Sequence, residues 1–349
     1  MENYLEILRK ILVKGRRKHN RTGIDTISIS GVMFEHDMNE GYPLLTTKEM
    51  RPEGVLSELE FFIKGITSKK WLRDNNNHIW DDWCNPEALK KYDFSEKSIQ
   101  KDFEKISTQF KNLDYKPLKR VKRLMDASKE YFDDELNLVK ELDSNLTDNV
   151  RKIAQYMEDD LGPIYGWQWR HFGGNYQSHE ASSFPQHEDY SNQGFDQLES
   201  IVNTLKKNPE SRRLICSAWN PKDIGKMALP PCHYGFQVLS DGEHIDLIWQ
   251  QRSVDTPLGL PYNIASYAAL LHLLSKETGL ASRMLIGQLG DVHIYENQLD
   301  GVEEQLSRSP RDLPDIVTDE FTSIFDWKYK DTKIENYNPH PKINFKIAV

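Results

Sequence analysis

The chain has 349 residues, 38% hydrophobic and 11% aromatic, enough to bury one large core or to form two ordinary domains. A formal net charge of -9 argues against a general affinity for DNA or RNA phosphates, because such binding rests on clustered, net basic surface. The opening residues lack the pattern of a secretory signal, and no run approaches a membrane span, so a soluble cytoplasmic protein with no membrane partner is expected. Cys84, Cys216 and Cys232 are too few and too scattered for a disulfide framework, and none has metal-ligand spacing, so no metal is expected.

From Leu5 to Val13 apolar residues recur at helical spacing; Arg21-Thr22-Gly23 then turns the chain into Thr26 to Ser30, which alternates at strand period. Val55 to Ile63 carries apolar residues on most faces and predicts a buried helix with Glu58 inside it. Over 86–160 charge becomes dense, and apolar residues recur at three and four, as at Ile99, Phe103, Ile106 and Phe110, then Leu146, Val150, Ile153 and Met157. This predicts an inserted helical subdomain, interrupted at Pro117, within one domain spanning the chain. Leu214 to Trp219, Tyr234 to Leu239 and Ile245 to Trp249 read as strands, with Asp241-Gly242 as a hairpin turn, and Ile264 to Leu274 as a central helix. The expected fold class is α+β, a mostly antiparallel sheet packed on a buried helix.

Two constellations could carry chemistry. Pro230-Pro231-Cys232-His233 sets a thiol after a rigid dipeptide at the start of a strand, a pattern that fits a buried structural thiol as well as a nucleophile. A neighbouring guanidinium from Arg212-Arg213 or Arg252 would stabilise the thiolate. The stretch Gln251-Arg252-Ser253-Val254-Asp255, continuing to Leu258-Gly259-Leu260-Pro261-Tyr262-Asn263, is expected to form one short loop and a helix start. Arg252 and Ser253 suit a phosphate, and the Asn263 amide can pair with the adjacent carbonyl and N–H of a uracil edge or serve as a satisfied core amide.

Many ordered segments resemble the thymidylate synthase family. They include Arg21-Thr22-Gly23, Pro43-Leu44-Leu45-Thr46-Thr47-Lys48, Ile79-Trp80-Asp81-Asp82-Trp83, Gly162-Pro163-Ile164-Tyr165-Gly166 and Ser211-Arg212-Arg213. Others are Pro231-Cys232-His233, Gln251-Arg252-Ser253, Gly259 to Tyr267, Gly290-Asp291-Val292-His293-Ile294-Tyr295 and Tyr337-Asn338-Pro339-His340-Pro341. The resemblance covers both flanks of the insertion. It implies a homodimer that methylates dUMP at C5 with 5,10-methylenetetrahydrofolate, a reduced folate, as co-substrate. It further implies Cys232 as nucleophile in a catalytic set with Glu58, Tyr165, His233, Arg252, Asp255 and Asn263. Arg21, Arg252 and Ser253 would hold the nucleotide phosphate together with Arg212 and Arg213 of the partner subunit. Gln251, Asp255 and Asn263 would lie at the base and His293 and Tyr295 at the sugar. Folate contacts would fall to Lys48, Ile79, Trp80, Trp83, Asp255, Leu258, Gly259, Tyr262 and the C-terminal Val349.

The chemistry agrees with this assignment, since thiolate addition at C6 of uracil turns C5 into a nucleophile toward a one-carbon unit. Two departures from the family pattern lie on the folate side: Glu49-Met50 after Lys48, and Glu60-Phe61 after Glu58-Leu59. They point to deoxyuridylate hydroxymethylase as the alternative within the same fold, because changes around a lid can admit water. A catalytically idle nucleotide- or RNA-binding protein is the reading from another class, disfavoured by an intact nucleophile that pure binding does not need.

Overall fold

A computed structural model describes residues 1–20, 22–83, 92–93, 139–140, 160–176 and 193–346. The chain separates into two compact units: Met1–Lys64, Asp196–Trp219 and Pro231–Val349 form the first, and Gly65–Phe195 with Asn220–Pro230 the second. The helical periodicity expected within 86–160 lies outside the described residues. The exceptions are two short strands, β3 (Tyr92–Asp93) and β4 (Val139–Lys140), which pair in parallel.

The first unit is built on a six-stranded sheet. Its strands are β1 (Arg16–Lys18), β2 (Thr26–Asp37), β5 (Ile215–Ser217), β6 (His233–Ser240), β7 (His244–Asp255) and β8 (Ala281–Tyr295), in the order β1-β2-β8-β7-β6-β5. Every neighbouring pair is antiparallel except β7 and β8. Those two run parallel because the chain between them is a helix, α6 (Gly259–Thr278), rather than a turn. The Asp241-Gly242 hairpin forms as expected: Gly242 takes φ 95°, and the Asp241 carboxylate accepts the N–H groups of Glu243 and His244. One expectation is corrected. Gln251 to Asp255 is the end of β7, not a loop, because it keeps pairing with β8 through Ser253 with Asp291, Val254 with Val292 and Asp255 with His293.

The register sorts the two faces of the sheet. Phe34, Gly287, Trp249, Phe236 and Cys216 are successive cross-strand partners and all are buried. The neighbouring row, Glu35, Ile286, Ile248, Gln237 and Ile215, points the other way and is half-buried or exposed. On the buried face the Trp249 indole stacks on Tyr267 at 5.5 Å and meets Phe34 at 5.8 Å. It also lies across Gly287, where a Cβ would stand 2.4 Å from the ring.

Helix α6 packs against β7 and β8, against α2 (Pro52–Ile63) and against α5 (Gln197–Lys207). Pro52 opens α2 at a position where no amide donor is needed, and Val55 through Ile63 is buried throughout. Helix α1 (Glu2–Lys14) lies on β2 with Tyr4, Leu5, Ile7, Leu8 and Ile11 inward, and each such apolar side chain contributes about 1.5–3 kcal/mol by leaving water. Gly279, at φ 76°, ends α6 by giving its N–H to the Ser275 carbonyl.

In the second unit α3 (Lys69–Asp74) and α4 (Tyr165–His171) are tied by short bridges. Ser68 pairs with Asp160, and the Tyr176 hydroxyl bonds both Thr67 and Asp160. No helix among the described residues is long and apolar enough to cross a membrane.

Candidate active site

Cys232 is the last residue before β6, partly exposed and not in a disulfide. The pairing of β6 with β7 steps from His233–Gln251 to Gly235–Gln250, leaving Tyr234 as an extra residue, and this bulge bends the strand where the thiol leaves it. Gly235 allows the close approach, for a Cβ there would stand 3.1 Å from the Cys216 carbonyl oxygen. Arg252 on β7 gives its Nε–H to the Pro231 carbonyl at 2.8 Å and brings Nη2 to 3.9 Å from Cys232 Sγ. Trp219 covers the guanidinium at 5.7 Å. A fixed cation beside a partly exposed thiol favours the thiolate. Cys216, by contrast, is fully buried, and burial pushes its thiol well up.

A chain of amides lies beside this thiol. Trp249 Nε1, which can only donate, bonds Gln251 Oε1 at 3.1 Å. That contact turns the Gln251 NH2 toward the Ser253 carbonyl at 3.2 Å and Asn263 Oδ1 at 3.0 Å. Asn263, in the second turn of α6, therefore has its carbonyl oxygen anchored and its NH2 directed elsewhere. The indole settles the orientation of both amides, which the residues' identities alone leave open. Behind them His233 Nδ1 bonds the Tyr267 hydroxyl at 2.8 Å, and burial lowers the imidazole to about 3, so it is neutral at pH 7.

At the C-terminal end of β8, His293 is buried and its Nδ1 meets Asp291 Oδ1 at 3.3 Å. Hydrogen bonding from His293 and Lys18 holds the Asp291 carboxyl down at about 2, so the imidazole donates through Nδ1 and keeps Nε2 for another partner. Tyr295 stands edge-on to His293 at 5.1 Å. Asp255, paired in register with His293, accepts the Leu258 N–H at 3.1 Å and the Gln298 amide at 2.9 Å. Burial raises the Asp255 carboxyl against those two hydrogen bonds. Gly259 begins α6 beside the Asp255 side chain, and burial likewise raises the Tyr262 hydroxyl one turn later. Lys48 is buried, donates to the Pro257 carbonyl, and is lowered by burial to about 7. Glu58 is buried in α2 as expected.

Arg212 and Arg213 are exposed at the turn into β5, and neither guanidinium has an ion pair among the described residues. Arg21 and Val349 lie outside the described residues. The remaining expected residues belong to the second unit. Trp80 is buried, with its ring 5.4 Å from Trp83 and 6.0 Å, edge-on, from Tyr165 at the start of α4. The buried Lys69 ammonium holds the Trp83 carbonyl at 2.8 Å, and Ile79 is exposed beside this aromatic cluster. Among the described residues no group of three or more His, Cys, Asp or Glu could hold a metal ion.

The thymidylate synthase family model matches residues 2–349. The chain belongs to the thymidylate synthase family. It is 37% identical over 350 residues to thymidylate synthase of Mycoplasma mobile and 37% identical over 351 residues to that of Listeria monocytogenes, covering 100% of each chain in both comparisons. It is 35% identical over 346 residues to the bifunctional dihydrofolate reductase-thymidylate synthase of Paramecium tetraurelia, covering 99% of this chain and 61% of that one. One departure from the family pattern now has a structural reading. The buried Glu60 carboxylate is used within the fold, accepting the Tyr329 N–H at 2.8 Å and pairing with Lys64.

Trp249, Asp291 and Gln298 enter the site without having been picked out from the sequence. Trp249 precedes Gln251 by two and Asp291 precedes His293 by two, so strand alternation alone puts each pair on one face. Gln298 carried no such signal, because two of its three partners, Asp255 and Lys346, come from distant stretches of chain.

Proposed function

We propose that the chain converts dUMP to dTMP, with 5,10-methylenetetrahydrofolate leaving as dihydrofolate. The observation that carries the reading is the Arg252 guanidinium fixed 3.9 Å from Cys232 Sγ, beside an Asn263 amide oriented through Gln251. In this proposal the Cys232 thiolate adds to C6 of the base, and the electron pair moves toward C5 and O4. Asn263 donates to O4 through its NH2 and accepts N3–H at its oxygen. Arg252 and Ser253 take the phosphate with Arg21, and Arg212 and Arg213 reach it from the partner subunit. His293 Nε2 accepts the sugar hydroxyl, with Tyr295 beside it. Glu58, Tyr165 and neutral His233 organise proton transfer at the base, and the C5 proton leaves before Cys232 is expelled from C6.

The residues fit a reduced folate. Asp255 offers a buried carboxylate to the N–H edge of a pterin, and Trp80 and Trp83 offer flat aromatic surface. When bound, the folate supplies a one-carbon unit and then a hydride. Trp80, Trp83, Ile79, Leu258, Gly259, Tyr262 and Val349 would exclude water from that step, with Lys48 on the glutamate side.

The same proposal includes a homodimer acting in the cytoplasm, with 86–160 inserted in one domain. The row of exposed Ile215 and half-buried Gln237, Ile248 and Ile286 supports a partner against that face of the sheet, and the two exposed arginines support a shared phosphate site. Incubation with dUMP and methylenetetrahydrofolate tests the activity: dTMP with dihydrofolate is expected, whereas hydroxymethyl-dUMP with tetrahydrofolate would assign the chain to hydroxymethylation. Sedimentation of the active protein as a monomer would remove the dimer.

A further inference from the structure

Helix α4 is seven residues long and opens at Tyr165 with no side-chain cap on its first amides. So short a helix has little stability of its own, and the aim of its first residue depends on what grips the turn before it. That turn, 160–164, is held at successive backbone groups. Leu161 gives its N–H to the Thr67 carbonyl at 2.9 Å and accepts the Ala228 N–H at 2.8 Å. The Asp160 carboxylate accepts the N–H of Gly162 at 2.8 Å, and Gly162 stands at φ 77°, where a side chain would be strained. The Pro163 carbonyl, two residues before Tyr165, accepts from Gln168 Nε2 at 3.0 Å.

Gln168 lies one turn along α4 and is fully buried. Its amide is itself oriented: Nε2 also donates to Asp223 Oδ2 at 3.1 Å, and Oε1 accepts Asn220 Nδ2 at 3.2 Å. Asn220 donates to the same carboxylate oxygen at 3.0 Å, and Lys226 pairs with the other at 2.9 Å. Asp223 is 1% exposed and Asn220 7%, so these polar groups are matched to one another out of reach of water. Turning the Gln168 amide over would set its oxygen against the Pro163 carbonyl and the Asp223 carboxylate, and its NH2 against that of Asn220. The chemistry proposed above uses none of the three residues.

We propose that Gln168, oriented by Asn220 and Asp223, is a positioning residue for Tyr165: by holding the Pro163 carbonyl it fixes the turn that aims the phenol at the proton leaving C5. The inference rests on the reading of Tyr165 as a group that organises this proton transfer. Such a group must stand within hydrogen-bond reach of its partner, and a displacement of about 1 Å can cost about a hundredfold in rate. Binding of nucleotide and folate does not depend on that alignment, so the loss of Gln168 falls on kcat rather than on KM.

Gln168→Met keeps the side chain's length and removes its donor. Turnover is expected to fall about ten- to a hundredfold, with KM for dUMP and for methylenetetrahydrofolate near that of the wild type. Deuterium at C5 of dUMP should slow the variant by a larger ratio than it slows the wild type, because removal of that hydron now limits the rate. Tyr165→Phe should raise the ratio likewise. Adding Gln168→Met to it should cost little more, because nothing is left to position. Asn220→Ser leaves the Pro163 contact in place but frees Gln168 Oε1. It should give a smaller fall in kcat with the same rise in the ratio, and it decides the matter if Gln168→Met does not fold. Losses that add in the double variant, or an unchanged isotope ratio in a folded Gln168 or Asn220 variant, would overturn the inference by showing a merely structural role. An unchanged ratio in Tyr165→Phe would instead remove the proton transfer from Tyr165 and the inference with it. Failure of the wild type to form dTMP would remove the functional reading, a result visible before any variant is made.

Discussion

Replacing Gln251 by Met tests how the base is chosen. In the native arrangement Gln251 Nε2 holds Asn263 Oδ1 at 3.0 Å, and Trp249 Nε1 holds Gln251 Oε1 at 3.1 Å. Asn263 is therefore set to accept N3–H and donate to O4 of uracil, whereas cytosine presents an unprotonated N3 and an amino group. To serve cytosine the Asn263 amide must turn over, which faces its NH2 to the NH2 of Gln251 and leaves a buried donor unpaired at a cost of about 1–3 kcal/mol. Met has no donor, so that cost disappears. The ratio of kcat/KM for dUMP over dCMP should fall by a factor of about 5 to 150, since each 1.4 kcal/mol is tenfold. Asn263→Asp should narrow or reverse the preference further, because the acid can donate to N3 and the carboxylate can accept from the amino group. The assay is initial rates with both nucleotides in wild type and both variants. A Gln251→Met enzyme that discriminates as well as the wild type would refute the relay from Trp249 to Asn263.

Cys232→Ser should bind dUMP with near-native affinity by calorimetry yet lose most turnover, because a hydroxyl beside Arg252 is a far weaker nucleophile than a thiolate; near-normal turnover would remove Cys232 from the mechanism. His233 titrates near 6.5 when unfolded but is lowered to about 3 when folded, so only the unfolded chain takes up its proton between those values. Stability should hold above pH 6.5 and decline below it by up to about 1.4 kcal/mol per pH unit, a slope that His233→Gln should reduce in urea titrations. Gly287→Ala drives a methyl group into the Trp249 ring and should lower stability by about 1–3 kcal/mol, read as a lower denaturant midpoint.

Strands and helices with clean periods were legible in the sequence: the buried α2, the hairpin at Asp241-Gly242 and the long apolar α6 all stand where pattern and turn chemistry place them. Strand β8 was not, because Gly287 and Gly290 look like breaks in it. Their purpose is visible only across the sheet, where Gly287 makes room for the Trp249 indole and Gly290 for the Arg252 carbonyl. The end of β7 looked like a loop for the same reason, since its partner is β8. Cys232, Arg252 and Asn263 were named from motif and resemblance, but what orients them was hidden. Tyr267 reaches His233 from a distant part of the chain and the bulge at Tyr234 rests on a register that only pairing reveals, whereas Trp249 acts on Gln251 from two residues away along one strand, a contact whose hydrogen bond only the structure shows.

The parallel pairing of β7 with β8 has a consequence for how such an enzyme changes its substrate. Because α6 is the connection between them, Gln251, Ser253, Asp255, Asn263, His293 and Tyr295 all fall in one uninterrupted crossover, with the strand ends and the helix start at the same rim. In the proposed function the base and sugar contacts would thus be inherited as a single cassette, whereas Arg21, Arg212 and Arg213 of the phosphate site lie outside it. An exchange of that stretch between relatives would carry base choice with it and would replace Arg252 beside the nucleophile, while Cys232 itself, one strand away, stays in place.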